Sequence, residues 1–179
     1  FQNNLGKLMR QELLLFTDIV LVEDRSILEF IDADWGVLCY ALAEHYGIDN
    51  FPGKKQRSNA APPWYRIKFA DKRRGGVLTM GKVLTGTSQA ARTSPVHRGK
   101  WVLENLLRAP PPDPPADVPP LDVAAVGSTV SLRAQLEEHR ANVTCAVCPD
   151  QIDPIGFGLE RYDATGAWRT HDGPFEIDD

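Results

Sequence analysis

The chain has 179 residues, 42% of them hydrophobic, with 20 Lys and Arg against 24 Asp and Glu and a net charge of −4. This suffices for one good-sized domain or two small ones with buried cores, and a pI near 5.6 without a clustered basic stripe argues against a phosphate-binding surface. No stretch reaches the roughly 18 to 20 apolar residues of a membrane span; the longest candidate, residues 13–22, is interrupted by Thr17 and Asp18.

Leu5, Leu8, Met9, Leu13 and Phe16 recur every three or four residues, which predicts a first helix with one apolar face. Glu23-Asp24 breaks it. Ser26 and Glu29 have the Ser-x-x-Glu form of a capping box, so the next helix is expected to start there. Residues 34–46 continue as helix, with Trp35, Leu38, Leu42 and Tyr46 on a stripe, Cys39 at a core-like position and Gly47 as the left-handed stop. Residues 48–63, rich in Asn, Gly, Lys and Pro, read as loop, and residues 64–69 as a short strand.

Lys72-Arg73-Arg74 before Gly75-Gly76 reads as a solvated turn, and residues 77–85 suit a strand or a buried helix equally. Ser94-Pro95 pairs a capping Ser with Pro at the first helical position, which predicts a helix over 95–108. Seven prolines within residues 110–120 favour an extended polyproline strap or semi-rigid spacer. An amphipathic helix over 128–140 then leads into Cys145-Ala146-Val147-Cys148. The expected fold is mainly α, with long loops, a short β element and a polyproline strap, divided at residues 1–91 and 92–179.

Cys145 and Cys148 carry the one definite chemical signal, since two thiols three residues apart can reach one metal, each other or two vinyl groups. A zinc site lacks ligands, because the remaining cysteine is Cys39 and there is no second pair. A thioredoxin-like redox pair calls for a preceding strand, whereas the preceding segment reads as helix. A structural disulfide and covalent haem attachment remain open. The usual haem signature is Cys-x-x-Cys-His, and position 149 is Pro, which cannot ligate iron.

The runs Asp24-Arg25-Ser26, Arg74-Gly75-Gly76-Val77-Leu78-Thr79 and Arg92-Thr93-Ser94-Pro95-Val96-His97-Arg98-Gly99-Lys100-Trp101 open a longer pattern. Leu136-Glu137-Glu138-His139-Arg140, Ile152-Asp153-Pro154-Ile155-Gly156-Phe157-Gly158-Leu159-Glu160 and Tyr162-Asp163 complete it. In order and spacing the pattern resembles the planctomycete-type secreted multidomain cytochrome c proteins, over residues 13–168.

The resemblance implies the C-terminal portion of such a protein, a helical c-type-cytochrome-like domain, covalent haem c at Cys145 and Cys148, and a periplasmic or secreted location. It also implies that the chain continues upstream of Phe1 and that the proline run falls inside one family module. Iron ligands would come from His139 first and Met80 second, with His97 and His171 as further donors. Ile155 and Phe157, with Leu159 and Trp168, would wall the macrocycle, and Asp153-Pro154 would start the helix that closes the pocket.

The expected role is electron transfer, without nucleic acid; the expected partners are a redox protein or other domains of the same precursor, or a larger assembly of which the chain is part. The rival is a haem-free assembly domain with a Cys145–Cys148 disulfide. An oxidase acting on exported substrates has only family context behind it, since no paired carboxylates, Ser-His-Asp set or phosphate loop is present.

Overall fold

A computed structural model describes residues 4–49, 51–55, 61–89, 92–112, 131, 133–134, 136 and 149–177. The chain divides into two compact units, Phe1–Gly86 with Thr165–Trp168, and Thr87–Ala164 with Arg169–Asp179. His139, Cys145, Cys148, the proline run from residue 113 and most of the helix expected over 128–140 lie outside the described residues. Helix predominates, with a few short strands.

In the first unit, α1 (Leu5–Val22) buries Leu8, Met9, Glu12, Phe16 and Val20 along one stripe. It stops where Asp24 takes a left-handed φ of 49°. The expected capping box forms differently. Ser26 Oγ accepts from Leu28 N at 3.3 Å, while the Glu29 carboxylate is taken by Arg25 Nε and Trp35 Nε1, each at 2.7 Å. The helix this box was expected to open is only a single turn, α2 (Glu29–Asp32).

The helix expected over 34–46 is corrected at its first half. Trp35–Leu38 is strand β1, buried at all four positions, and it pairs antiparallel with β2 (Tyr65–Lys68), Trp35 opposite Lys68 and Leu38 opposite Tyr65. Gly36 lies against the Phe69 ring, where an added Cβ would stand 2.7 Å from Cζ. β2 alternates half-buried Tyr65 and Ile67 with exposed Arg66 and Lys68, the period-2 pattern of a one-sided strand. Helix resumes only at α3 (Tyr40–Tyr46), which Gly47 ends at φ 66°.

Residues 77–85, undecided from sequence, are helical: a 3-10 turn over Val77–Thr79 and then α4 (Gly81–Gly86). Two apolar clusters form the core. One joins Leu8 and Met9 to Leu38, Cys39, Leu42, Ala43 and Tyr46; the other gathers Phe16, Val20, Ala33, Trp35, Val37, Val77 and Met80. Phe16 stacks on Trp35 at 4.7 Å between ring centroids and meets Phe30 edge-on. Burying a side chain of this size contributes about 2 to 3 kcal/mol.

The second unit is built on α5 (Pro95–Asn105) and α6 (Pro149–Phe157). Ser94 caps α5 as expected, its Oγ accepting from His97 N at 3.3 Å. α5 ends three residues short of the predicted 108, and Arg108 takes φ 54° beyond it. The two helices cross on glycines: a Cβ at Gly99 would stand 2.1 Å from Ile152 O, and one at Gly156 2.2 Å from Pro95 O.

α6 does not start at Asp153-Pro154. It includes Pro149, and Pro154 lies inside it. A proline there forfeits one helical bond, but its ring is exposed, and the contact of Ile152 and Gly156 with α5 carries the helix through. A two-residue ladder, β3 (His171–Asp172) with β4 (Phe175–Glu176), closes the described chain.

Candidate functional site

α6 includes Pro149, the residue directly after Cys148, so the segment bearing both thiols runs into a helix docked on α5. Ile152, Asp153, Gly156 and Glu160 form the buried side of this segment, while Ile155, Phe157 and Leu159 stay half-buried. α6 therefore keeps apolar surface that its contact with α5 does not consume. Phe157 carries the Arg133 guanidinium over its ring at 4.7 Å, a cation–π contact that holds the ring in place.

In the sequence Cys145 and Cys148 precede this half-exposed apolar flank, and Pro149, which has no imidazole, follows them. His97 is exposed in the first turn of α5, and His171 is exposed on β3. Met80 is 5% exposed within the apolar core of the first unit. The fourth histidine, His45, is half-buried with Nε2 at 3.0 Å from Thr165 O.

Two buried polar centres carry no motif in the sequence. Arg98 is 1% exposed. Its Nη1 donates to the carbonyls of Leu159 and Tyr162, each at 2.6 Å, and its Nη2 to the carbonyl of Asp163 at 2.7 Å and to Ser88 Oγ at 3.1 Å. Desolvation, followed by the charge on Arg169, pulls its pKa down to about 10. An arginine in the first turn of an amphipathic helix normally reads as solvated, which hid it.

The other centre lies in the first unit, where Glu12 is 4% exposed. Tyr46 donates its hydroxyl to Glu12 Oε2 at 2.7 Å and accepts from Gly81 N at 2.9 Å. The Arg74 guanidinium lies over the Tyr46 ring at 3.8 Å, donating to Thr79 O at 2.7 Å and to Gly166 O. Burial pushes the Glu12 pKa up to about 7 against the opposing pull of the Tyr46 hydroxyl and Arg74, and it raises Tyr46 as well. Position 12 falls on the stripe of Leu8, Met9 and Phe16, so its burial was readable from the period. Arg74, expected in a solvated turn, is 6% exposed.

In the second unit Glu160, 4% exposed, faces Arg133 Nη2 at 3.6 Å beside a water-sized cavity of about 30 Å³ that Asp172 and Glu176 also line. Burial raises the Glu160 carboxyl above its ordinary range. Among the described residues no group of three or more His, Cys, Asp or Glu is arranged to hold a metal ion, and no helix is long and apolar enough to cross a membrane.

Two family models match the chain. PSCyt3, described as a protein of unknown function (DUF1588), matches residues 74–172, more than half of the chain, and PSD4, described as a protein of unknown function (DUF1592), matches residues 1–48. Both are, by name, families of planctomycete-type cytochrome c domains. No curated protein and no solved structure matches.

Proposed function

The chain belongs to the PSCyt3 family, and from that membership we propose that it is an electron-transfer module of an exported, multidomain c-type cytochrome, with haem attached through Cys145 and Cys148. The observation that carries this reading is the extent of the match: residues 74–172 contain both thiols, α6 and the α5 platform on which α6 lies.

A bound haem c would supply a one-electron couple at its iron. The chain's own residues hold and shield it. The α5–α6 crossing at Gly99 and Gly156 gives the thiol-bearing segment a rigid end, and Ile155 and Phe157 offer the apolar flank that keeps water from a macrocycle edge. His139, six residues before Cys145, is the first axial ligand to test, because Met80 is already enclosed by the first unit's core. The redox partner is a separate protein or another domain of the same precursor, met in the periplasm or outside the cell.

The test is an absorption spectrum of the full chain produced with haem-attachment machinery. A Soret band that survives acid-acetone extraction, and disappears in Cys145→Ser/Cys148→Ser, is the expected result. The second reading, a haem-free assembly domain, is favoured by Pro149 in place of an imidazole. An extractable or absent Soret band, with a Cys145–Cys148 disulfide seen by mass spectrometry before and after reduction, would establish it.

A further inference from the structure

Among the described residues, the exposed large apolar side chains all lie between residues 14 and 31, except Leu107. Leu21, Val22, Ile27 and Leu28 are between 66% and 84% exposed. One exposed aliphatic side chain is ordinary, whereas several close together mark a surface that another molecule covers. On α1, Leu14, Asp18, Leu21 and Val22 recur at three and four residues and share the face opposite the buried stripe of Leu8, Glu12 and Phe16. The chain then turns at once, with Asp24 N donating to Leu21 O and Arg25 N to Val20 O, and α2 lies against α1. Ile27, Leu28 and Ile31 therefore follow on the same unit.

The charge around these residues is one-sided. Residues 18–32 carry Asp18, Glu23, Asp24, Glu29 and Asp32 against Arg25 alone. Arg25 pairs with Glu23 and Glu29, and Arg66 pairs with Glu23 as well. Asp18, Asp24 and Asp32 stay exposed with no ion pair among the described residues. A second copy of this face would set these carboxylates against their own kind across a two-fold axis, and an anionic lipid surface would repel them.

We infer that the exposed face of α1 and α2 around Leu21, Val22, Ile27 and Leu28 is a docking surface for a partner protein presenting a cationic amphipathic helix. The helix would bury its aliphatic face on these four side chains and set Lys or Arg against Asp18, Asp24 and Asp32. The surface belongs wholly to the first unit, so it stands or falls independently of the haem reading.

The experiment titrates the full, isotope-labelled chain with a synthetic amphipathic helix of leucine and lysine, and separately with its leucine–glutamate counterpart, following amide NMR shifts. Saturable binding of the leucine–lysine helix, weakening with salt and with shifts concentrated in residues 14–32, is expected. Leu21→Ser/Val22→Ser and Ile27→Ser/Leu28→Ser should each weaken it about tenfold or more. Asp18→Asn/Asp24→Asn/Asp32→Asn should weaken it and flatten its salt dependence, while Leu107→Ser, in the second unit, should leave it unchanged.

Shifts spread over the whole chain, equal binding of the leucine–glutamate helix, or indifference to the serine substitutions overturns the inference. Two further results also overturn it by assigning the face elsewhere. One is self-association of the free chain, seen by sedimentation, that the serine substitutions abolish. The other is binding to phosphatidylcholine vesicles that the same substitutions abolish. The wild-type shift map decides the matter even if a variant does not fold.

Discussion

Glu12 shows what one buried carboxylate does to a small unit. Its folded pKa of about 7 stands above the ordinary 4.5 because burial outweighs the help of Tyr46 and Arg74. The folded chain therefore holds a proton at Glu12 that the unfolded chain has released. The resulting stability is complete below pH 4.5 and is lost as pH rises through 7, about 3 kcal/mol in all. Glu12→Gln can still accept from Tyr46 but does not ionise. Denaturant melts of wild type and Glu12→Gln between pH 4.5 and 8 should diverge, with the wild type losing stability that the variant keeps. Parallel curves would mean that Glu12 is ionised at no cost. Carboxylates depressed by partners, such as Glu23 beside Arg66 and Asp34 beside Lys68, act in the opposite direction and at lower pH, and the comparison cancels them.

Among the elements, the α5–α6 crossing is the least forgiving contact. An added methyl at Gly99 or Gly156 would meet backbone oxygen, which has no rotamer to move, so the helices must part. Overpacking of this kind costs about 1 to 3 kcal/mol and sometimes more. Gly99→Ala and Gly156→Ala should each lower the denaturation midpoint by that order, whereas Gly158→Ala, whose nearest neighbour is 3.5 Å away, should shift it little. Equal losses at all three positions would show that the close approach at the crossing does not set the cost.

The elements readable from sequence were those decided locally. Ser94 and Pro95 start α5 with their own side chains, and Gly47 ends α3 through its backbone freedom. β1 was misread because Trp35, Leu38, Leu42 and Tyr46 share helical spacing. Its strand state comes from β2, some thirty residues away, and from Phe69 filling the space over Gly36. The pairing of Glu29 with Arg25 and Trp35, in place of Ser26, likewise depends on Trp35 arriving by that route.

At the scale of the whole molecule, sequence distance and spatial grouping separate. The family pattern was legible because its runs are contiguous, whereas the two cysteines, three residues apart, show only a spacing. The carbonyls that bind Arg98 were not legible, since they come from more than sixty residues away. The first unit has the same character: Thr165–Trp168 belongs with residues 1–86. Gly166 O accepts from buried Arg74, Gly166 Cα packs near Gly81, and Arg73 lies over the Trp168 ring at 5.7 Å.

A chain cut after Gly86 would therefore remove the Gly166 carbonyl that accepts from buried Arg74, at a cost of about 1 to 3 kcal/mol, and would also uncover Gly81. Such a fragment should keep the far-UV signature of α1 and α3 but lose the near-UV signal of Trp35 and melt without a sharp transition. A synthetic peptide of residues 161–170 added in excess should restore part of that signal. A fragment of residues 1–86 that melts as sharply as the full chain, with or without the peptide, would show that the first unit is complete without its distant segment.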